Sequence, residues 1–430
     1  MKAGWSIAPL MISAAVYSVG SGLFSTLLPL RLELMGFNGT EIGLVMTANM
    51  VGFILGCLAT PAMLRSVGHV QTYSACTAVV VALTLAFEWV DSIALAAALR
   101  AFTGFAVAAL SVVMESWLNA LSTNENRGRV LTSYVLTLGL FYGLGQLAAR
   151  DIDAMGHALL MIPAALIALS MIPLTAVRVQ SPPLPKKVGI HLLTAFRISP
   201  TGALGAFATG LIATTFASVG VLLAPHYNLD QATIVYLLAA SQIGGIVFQY
   251  PLGWFSDRLD RRYILLAMHI VVLIVSAAFI LATPETPFWI FLVLFVGFAG
   301  FAEALYPISV AQANDRAKPQ DYVAVSSNLL LLWAVGGGIG PLIGTPLLEQ
   351  AGAPAFFWYV SGITLVLGLL TLWRILSKRR IDAETTLEEF QVYPTTSPAI
   401  YEFIPHKPLS PFPKGPEGKP SDGKPGESPP

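Results

Sequence analysis

The sequence predicts an all-α membrane protein: twelve transmembrane helices in two pseudo-symmetric six-helix bundles, with both termini cytoplasmic. Three observations carry this. Of 430 residues, 55% are hydrophobic and only 11% are Asp, Glu, Lys or Arg, where a soluble domain carries about 25% charged residues. The apolar residues gather into blocks of about 20, the length a helix needs to cross the hydrocarbon core. The Lys and Arg fall almost wholly on one side of the resulting topology. So little polar surface excludes a soluble enzyme, a nucleic-acid binder or a disordered regulator as a reading of the whole chain. A net charge of zero leaves no global field to attract nucleic acid.

The blocks run over residues 5–30, 40–62, 71–90, 93–119, 130–149, 157–176, 201–223, 232–252, 263–282, 288–309, 327–347 and 355–376. Lipid cannot satisfy backbone amides, so each must be a helix or part of a closed barrel. Their length and lack of alternation exclude barrel strands. Lys2 before a long apolar run resembles the start of a signal peptide, but the run outlasts a signal core and reads as an uncleaved helix. With the N-terminus inside, only Arg31 and Arg150 among 24 Lys and Arg fall outside, and Arg100 lies within a span. Cys57 and Cys76 both sit in apolar runs, which argues against a disulfide framework.

The chain divides into a bundle over 1–177, a cytoplasmic linker over 178–200, a second bundle over 201–376 and a tail over 377–430. The linker opens on the basic, proline-rich Ser181-Pro-Pro-Leu-Pro-Lys-Lys187. The tail, rich in Pro, Lys, Glu and Ser, cannot bury a core and is expected to be disordered. It is either inert or docks a partner through Ile400-Tyr-Glu-Phe-Ile404. Gly104-Phe-Ala-Val-Ala-Ala109 and Gly297-Phe-Ala-Gly-Phe-Ala302 form a weak internal repeat between the halves. Two repeated bundles are a transporter architecture, with the site between them near the midplane.

The loop after the eighth block reads Gly253-Trp-Phe-Ser-Asp257-Arg258-Leu-Asp260-Arg261-Arg262. It resembles the signature loop of the major facilitator superfamily, except that Asp260 stands where the family has Gly. An Asp can also take the left-handed conformation that a turn glycine supplies. The resemblance covers residues 1 to about 376. It implies a gate latch of Asp257, Arg258, Arg261 and Arg262, with Asp257 facing Arg127 or Arg129 at the start of span five. In the first half, Pro61-Ala-Met-Leu-Arg65-Ser-Val-Gly68 keeps the glycine but puts Arg65 in the acid's place, so that loop cannot latch in the usual way. Arg100-Ala-Phe-Thr-Gly104 resembles the family's fourth-span motif. Glu115-Ser-Trp-Leu-Asn119 and Asn126-Arg-Gly-Arg129 resemble the YcaD-like bacterial branch.

Two carboxylates lie within spans. Burial favours the neutral form of such a group and a nearby cation favours the charged form, so it can take and release a proton. Glu303, on a helix that lines the pathway in the family, is the proton-site candidate. Glu115, nearer the Arg127–Arg129 loop, is read as part of the latch or as a second proton site. Arg100 costs at least about 2.5 kcal/mol to insert. It either orients an anionic substrate or shifts the pKa of a carboxylate, or it is structural, snorkelling or paired with Glu88. Ser21 and Ser25, Asn49, Thr214 and Ser218, and Gln242 are candidate cavity-lining groups, although Ser and Thr are also ordinary helix-packing residues. Gly336-Gly-Gly-Ile-Gly340-Pro341-Leu-Ile-Gly344 has the spacing of the family's antiporter motif, displaced to span eleven. It reads equally as close packing with a kink, or as a lean toward efflux.

Neither a phosphate-binding Gly-rich loop nor a zinc-protease or nucleophile-elbow motif occurs. The six histidines are scattered without ligand spacing, so no catalysis, metal or cofactor is expected. The reading is a secondary active carrier of a small molecule working by alternating access, with proton-coupled export as its form. The alternative is an uptake carrier for a small anion or polar metabolite. A third, of another class, is a non-transporting receptor or scaffold. The expected partners are protons, the bilayer and an unidentified solute, for a monomer in the bacterial inner membrane.

Overall fold

The computed structural model describes residues 2–122, 126–175, 192–317, 321–377 and 395–398. Most of the linker and the tail, including Ile400–Ile404, lie outside the described residues. The described residues are helical, with no strand among them. The helices are α1 (Lys2–Leu34), α2 (Gly39–Val67), α3 (His69–Ala86), α4 (Ile93–Leu121), α5 (Arg127–Ala148) and α6 (Ala158–Leu169). After the linker come α7, a compound helix over Pro200–Leu223, then α8 (Gln231–Arg258), α9 (Arg261–Leu281), α10 (Phe288–Asn314) and α11 (Tyr322–Ser377). Among the described residues, ten helices are long and apolar enough to cross a membrane, and Ala158–Leu174 is a shorter apolar one.

Local chemistry sets the boundaries. Asn38 caps α2 in a reciprocal box with Glu41, which satisfies two otherwise orphaned amides. Asp230 caps α8 through the Thr233 amide. Ser199 caps α7 ahead of Pro200, whose fixed φ suits the first helical position. The end of the linker is itself helical over Leu192–Ile198. Gly68, at φ 83°, turns α2 into α3, and Gly352, at φ 75°, breaks α11 into two rods. Both positions need a left-handed backbone that only glycine adopts readily.

Glycines also fix the helix pairs. A Cβ on Gly52 would lie 1.8 Å from the Ala101 carbonyl oxygen, and one on Gly104 would lie 2.0 Å from that of Asn49, so α2 and α4 touch backbone to backbone. Gly22 and Gly145 do the same for α1 and α5, against Tyr142 and Val19. Gly210 and Gly336 repeat that crossing between α7 and the first rod of α11, each 2.0 Å from a carbonyl oxygen. Gly244 meets Val296 of α10 as Gly52 meets α4. Gly297, by contrast, has only Val275 at 3.8 Å, and the α10 glycine in tight contact is Gly300, against the Phe248 ring. The matching glycines of the repeat thus differ in what they touch. Small residues act this way because lipid supplies no hydrophobic drive between helices, so close van der Waals contact must.

Large apolar side chains face outward, among them Trp89, Tyr250, Leu281, Trp289, Trp358 and Leu376. Such a surface suits a chain embedded in a membrane.

Candidate functional site

Arg100 sits seven residues into α4, about 10 Å along the helix. Only 7% of it is exposed, and its Nε has no hydrogen-bond partner. Its position follows from Gly104 one turn on, which lets α4 close onto α2. The guanidinium lies 5.9 Å from the Phe24 ring centroid. Tyr17 on α1 and Tyr142 on α5 are among its neighbours. Glu88 is not its partner: that carboxylate takes Arg31 at 3.3 Å and His157 at 2.9 Å. Arg31 is itself buried and also donates to the Ala154 carbonyl.

Glu303 is half-buried in mid-α10. The sequence ended this span at 309, but the helix runs to Asn314. Glu303 is therefore 11 residues from the end, about 16 Å rather than a turn and a half. Its carboxylate projects over Gly245 of α8, where a Cβ would lie 2.1 Å from Oε2. Tyr142 has Arg100, Glu303 and Ser25 among its polar neighbours, and Tyr17 has Ser21 and Arg100. The two predicted serines thus join a polar track with two tyrosines that the sequence reading missed. A tyrosine in an apolar helix reads as packing until its neighbours are known.

The other lining candidates are spread around this track. Thr214 lies in a π-helical turn of α7, Gly210–Thr214, with its hydroxyl buried and unpartnered. Such turns recur at functional sites. Ser218 and Asn49 are half-buried on α7 and α2. Gln242 of α8 packs over Gly143 of α5. The glycines of α11 are accounted for by packing: Gly340 and Gly344 seat Thr215, and Gly337 seats Thr214.

At the end of the molecule holding the α2–α3 turn, Arg261 bridges Asp257 at 3.2 Å and Asp315 at 3.4 Å. Arg262 grips Asp260 at 2.6 Å. Asp260 is not left-handed, as the motif's glycine position suggested: at φ −58°, ψ 120° it caps α9 by accepting from the Arg262 amide. Burial opposes ionisation of Asp260, but the Arg262 hydrogen bonds and charge outweigh it and hold the carboxyl below its usual range. Arg258 stacks 3.7 Å over Trp254. Arg129 is exposed, and the side chain of Arg127 lies outside the described residues. Glu115 is fully buried and accepts a hydrogen bond from Ser397.

At the opposite end, the α1–α2 end, hydrogen bonds tie residues of 1–177 to residues of 201–376. The Gly39 amide donates to Glu349 Oε2 at 2.5 Å. Gln231 Nε2 donates to the carbonyls of Ala149 and Ile152 at 3.0 and 2.7 Å, and Arg150 bonds Tyr236. Deeper in, Thr47 donates to the Gly338 carbonyl at 2.5 Å.

The model of the Major Facilitator Superfamily matches residues 10–200 and 202–414. The chain belongs to this superfamily. Within it the chain falls in the YcaD-like branch. It is 25% identical over 366 residues to the "Uncharacterized MFS-type transporter YcaD" of Escherichia fergusonii, covering 84% of this chain and 94% of that one. It is 24% identical over 368 residues to the protein of the same name in Salmonella newport, with the same shares covered. Among solved structures, it resembles the nucleoside transporter NupG (TM-score 0.70, 17% identity, 87% and 99% of the two chains). It also resembles a D-xylose–proton symporter (0.67, 11%, 85% and 96%). These establish the fold. The family is one of membrane transporters and not of enzymes.

Proposed function

We propose that the protein is a proton-coupled carrier of a small, amphipathic molecule, exporting it across the bacterial inner membrane by alternating access. The observation that carries this is the polar track: a buried Arg100 and a mid-helix Glu303, on helices of opposite halves, with Tyr142 among the neighbours of both. Ionisable groups inside a membrane are costly and persist where they serve transport. Phe24 and Tyr17 add aromatic surface beside the charge, which suits a solute with an apolar body. The second reading, uptake of a small anion, is favoured by one observation: the Arg100 Nε donor has no partner.

In this reading the two rods of α11 and the shorter α6 bring the crossings to twelve, in bundles over 1–177 and 201–376, with both termini inside. The α1–α2 end then faces outward and is closed, and the Asp257–Arg261–Asp315 cluster lies at the inner gate. The protein works as a monomer.

The test is a solute panel in proteoliposomes with and without a pH gradient. Each pH unit is worth about 1.36 kcal/mol, and each 100 mV about 2.3 kcal/mol per charge. Glu303→Gln is expected to keep solute exchange and lose accumulation against a gradient. If Glu303→Gln still pumps uphill in response to pH, Glu303 is structural and Glu115 is the next proton site to test.

A further inference from the structure

Ser397 lies beyond the last helix, in a tail whose composition argues for disorder, yet it is wholly buried. Its hydroxyl donates to Glu115 Oε2, a partner 282 residues away that is also wholly buried. The neighbouring Thr396 has its hydroxyl oxygen buried without a partner, and Thr395 and Pro398 are half-buried. Four consecutive residues of the tail thus pack against the protein, with Ser397 sealed from solvent.

The place they reach is not incidental. Glu115 lies six residues before the end of α4, on the helix that carries Arg100. Cys57 of α2 and Tyr134 of α5 are among its neighbours. The adjacent Ser116 and Trp117 turn the other way, to His69 and Tyr73 of α3. Glu115 therefore looks into the space between α2, α4 and α5 rather than into the packed α3–α4 seam. The tail can reach it. The second rod of α11 ends at the same end of the molecule, where the Arg374 carbonyl accepts from Arg262. The 18 residues from 377 to 395 span up to about 60 Å when extended.

We infer that this end of the molecule contains a peptide-binding site for the protein's own tail. Residues 395–398 occupy it in cis, with Ser397 on Glu115, and must withdraw before a solute or proton can reach that carboxylate. A short hydroxyl-rich segment suits such a site. A hydroxyl adds a hydrogen bond to that carboxylate without itself taking a charge out of water. The docking itself does not depend on the transport reading; only its consequence for gating does.

The test uses the purified full-length chain in detergent. In the unaltered protein, amide hydrogen exchange over 395–398 is expected to be at least about ten-fold slower than in a synthetic peptide of the same sequence. Ser397→Asp sets a second carboxylate against Glu115. It is expected to abolish that protection and to raise several-fold the carbodiimide modification of Glu115, read by peptide mass spectrometry. Exchange at the free-peptide rate in the unaltered chain would overturn the inference. So would a Ser397→Asp variant whose protection and Glu115 reactivity are unchanged. Neither readout needs a transported solute, so failure of the carrier reading would leave this result standing, and the converse holds.

Discussion

Gly245→Ala is the sharpest probe of how the Glu303 carboxylate is held. A methyl there would meet Oε2 at 2.1 Å, and ordinary contact begins at 3.4 Å, so the carboxylate must retreat by more than an ångström. The obstacle is the end of a flexible side chain, so the relief is a rotamer change rather than a shift of α8 from α10. An off-rotamer side chain costs about 0.5–1.5 kcal/mol, and overpacking in general about 1–3 kcal/mol. The functional loss should be larger, because the displaced carboxylate no longer faces the track shared with Tyr142. We expect a modest fall in the thermal midpoint in detergent, together with loss of pH-driven accumulation. In a Glu303→Ala background the same methyl meets no carboxylate, so the cycle should show a coupling of about 1 kcal/mol or more. Equal damage from Gly245→Ala in both backgrounds would refute the reasoning and place the constraint in the α8–α10 backbone contact, where Gly244 meets Val296.

Arg100→Ala should strongly reduce transport with normal expression, while Arg100→Lys restores only part of it, because Lys keeps the charge but not the planar fork of donors; wild-type flux in the Ala variant would make Arg100 structural. Arg261→Met leaves Asp257 and Asp315 without the cation that bridges them, and breaking a buried charge network costs about 3–5 kcal/mol, so a thermal midpoint equal to the parent's would contradict the network. Asp260 has a depressed carboxyl. Its contribution to stability is complete above the unfolded value of about 3.9 and fades as pH falls through the folded one. The stability difference between the parent and Asp260→Asn should therefore shrink below about pH 4, and a constant difference across that range would remove Asp260 from the account.

Much of this protein is written locally. A block of apolar residues becomes a membrane helix because each side chain's transfer free energy acts wherever it sits. The caps at Asn38, Asp230 and Ser199 and the turn at Gly68 are likewise settled by residues within a few positions of one another. The Gly253–Arg262 loop announced the family for the same reason. What the sequence could not fix was which faces meet. Gly104 and Gly297 occupy matching places in a repeat, yet only Gly104 touches a partner backbone, because contact depends on how α4 and α10 are rotated against α2 and α8. Glu88 was available to Arg100 but pairs with Arg31 and His157, which approach from two other helices. Tyr142 came to lie near Ser25 and Arg100 only when the Gly22–Gly145 crossing set α5 against α1. Composition described the tail as unable to build a core of its own. The tertiary structure supplies Ser397 with a core to enter, at Glu115. In each case the deciding term is a contact between residues far apart in the chain, made possible by close helix packing that hydropathy does not encode.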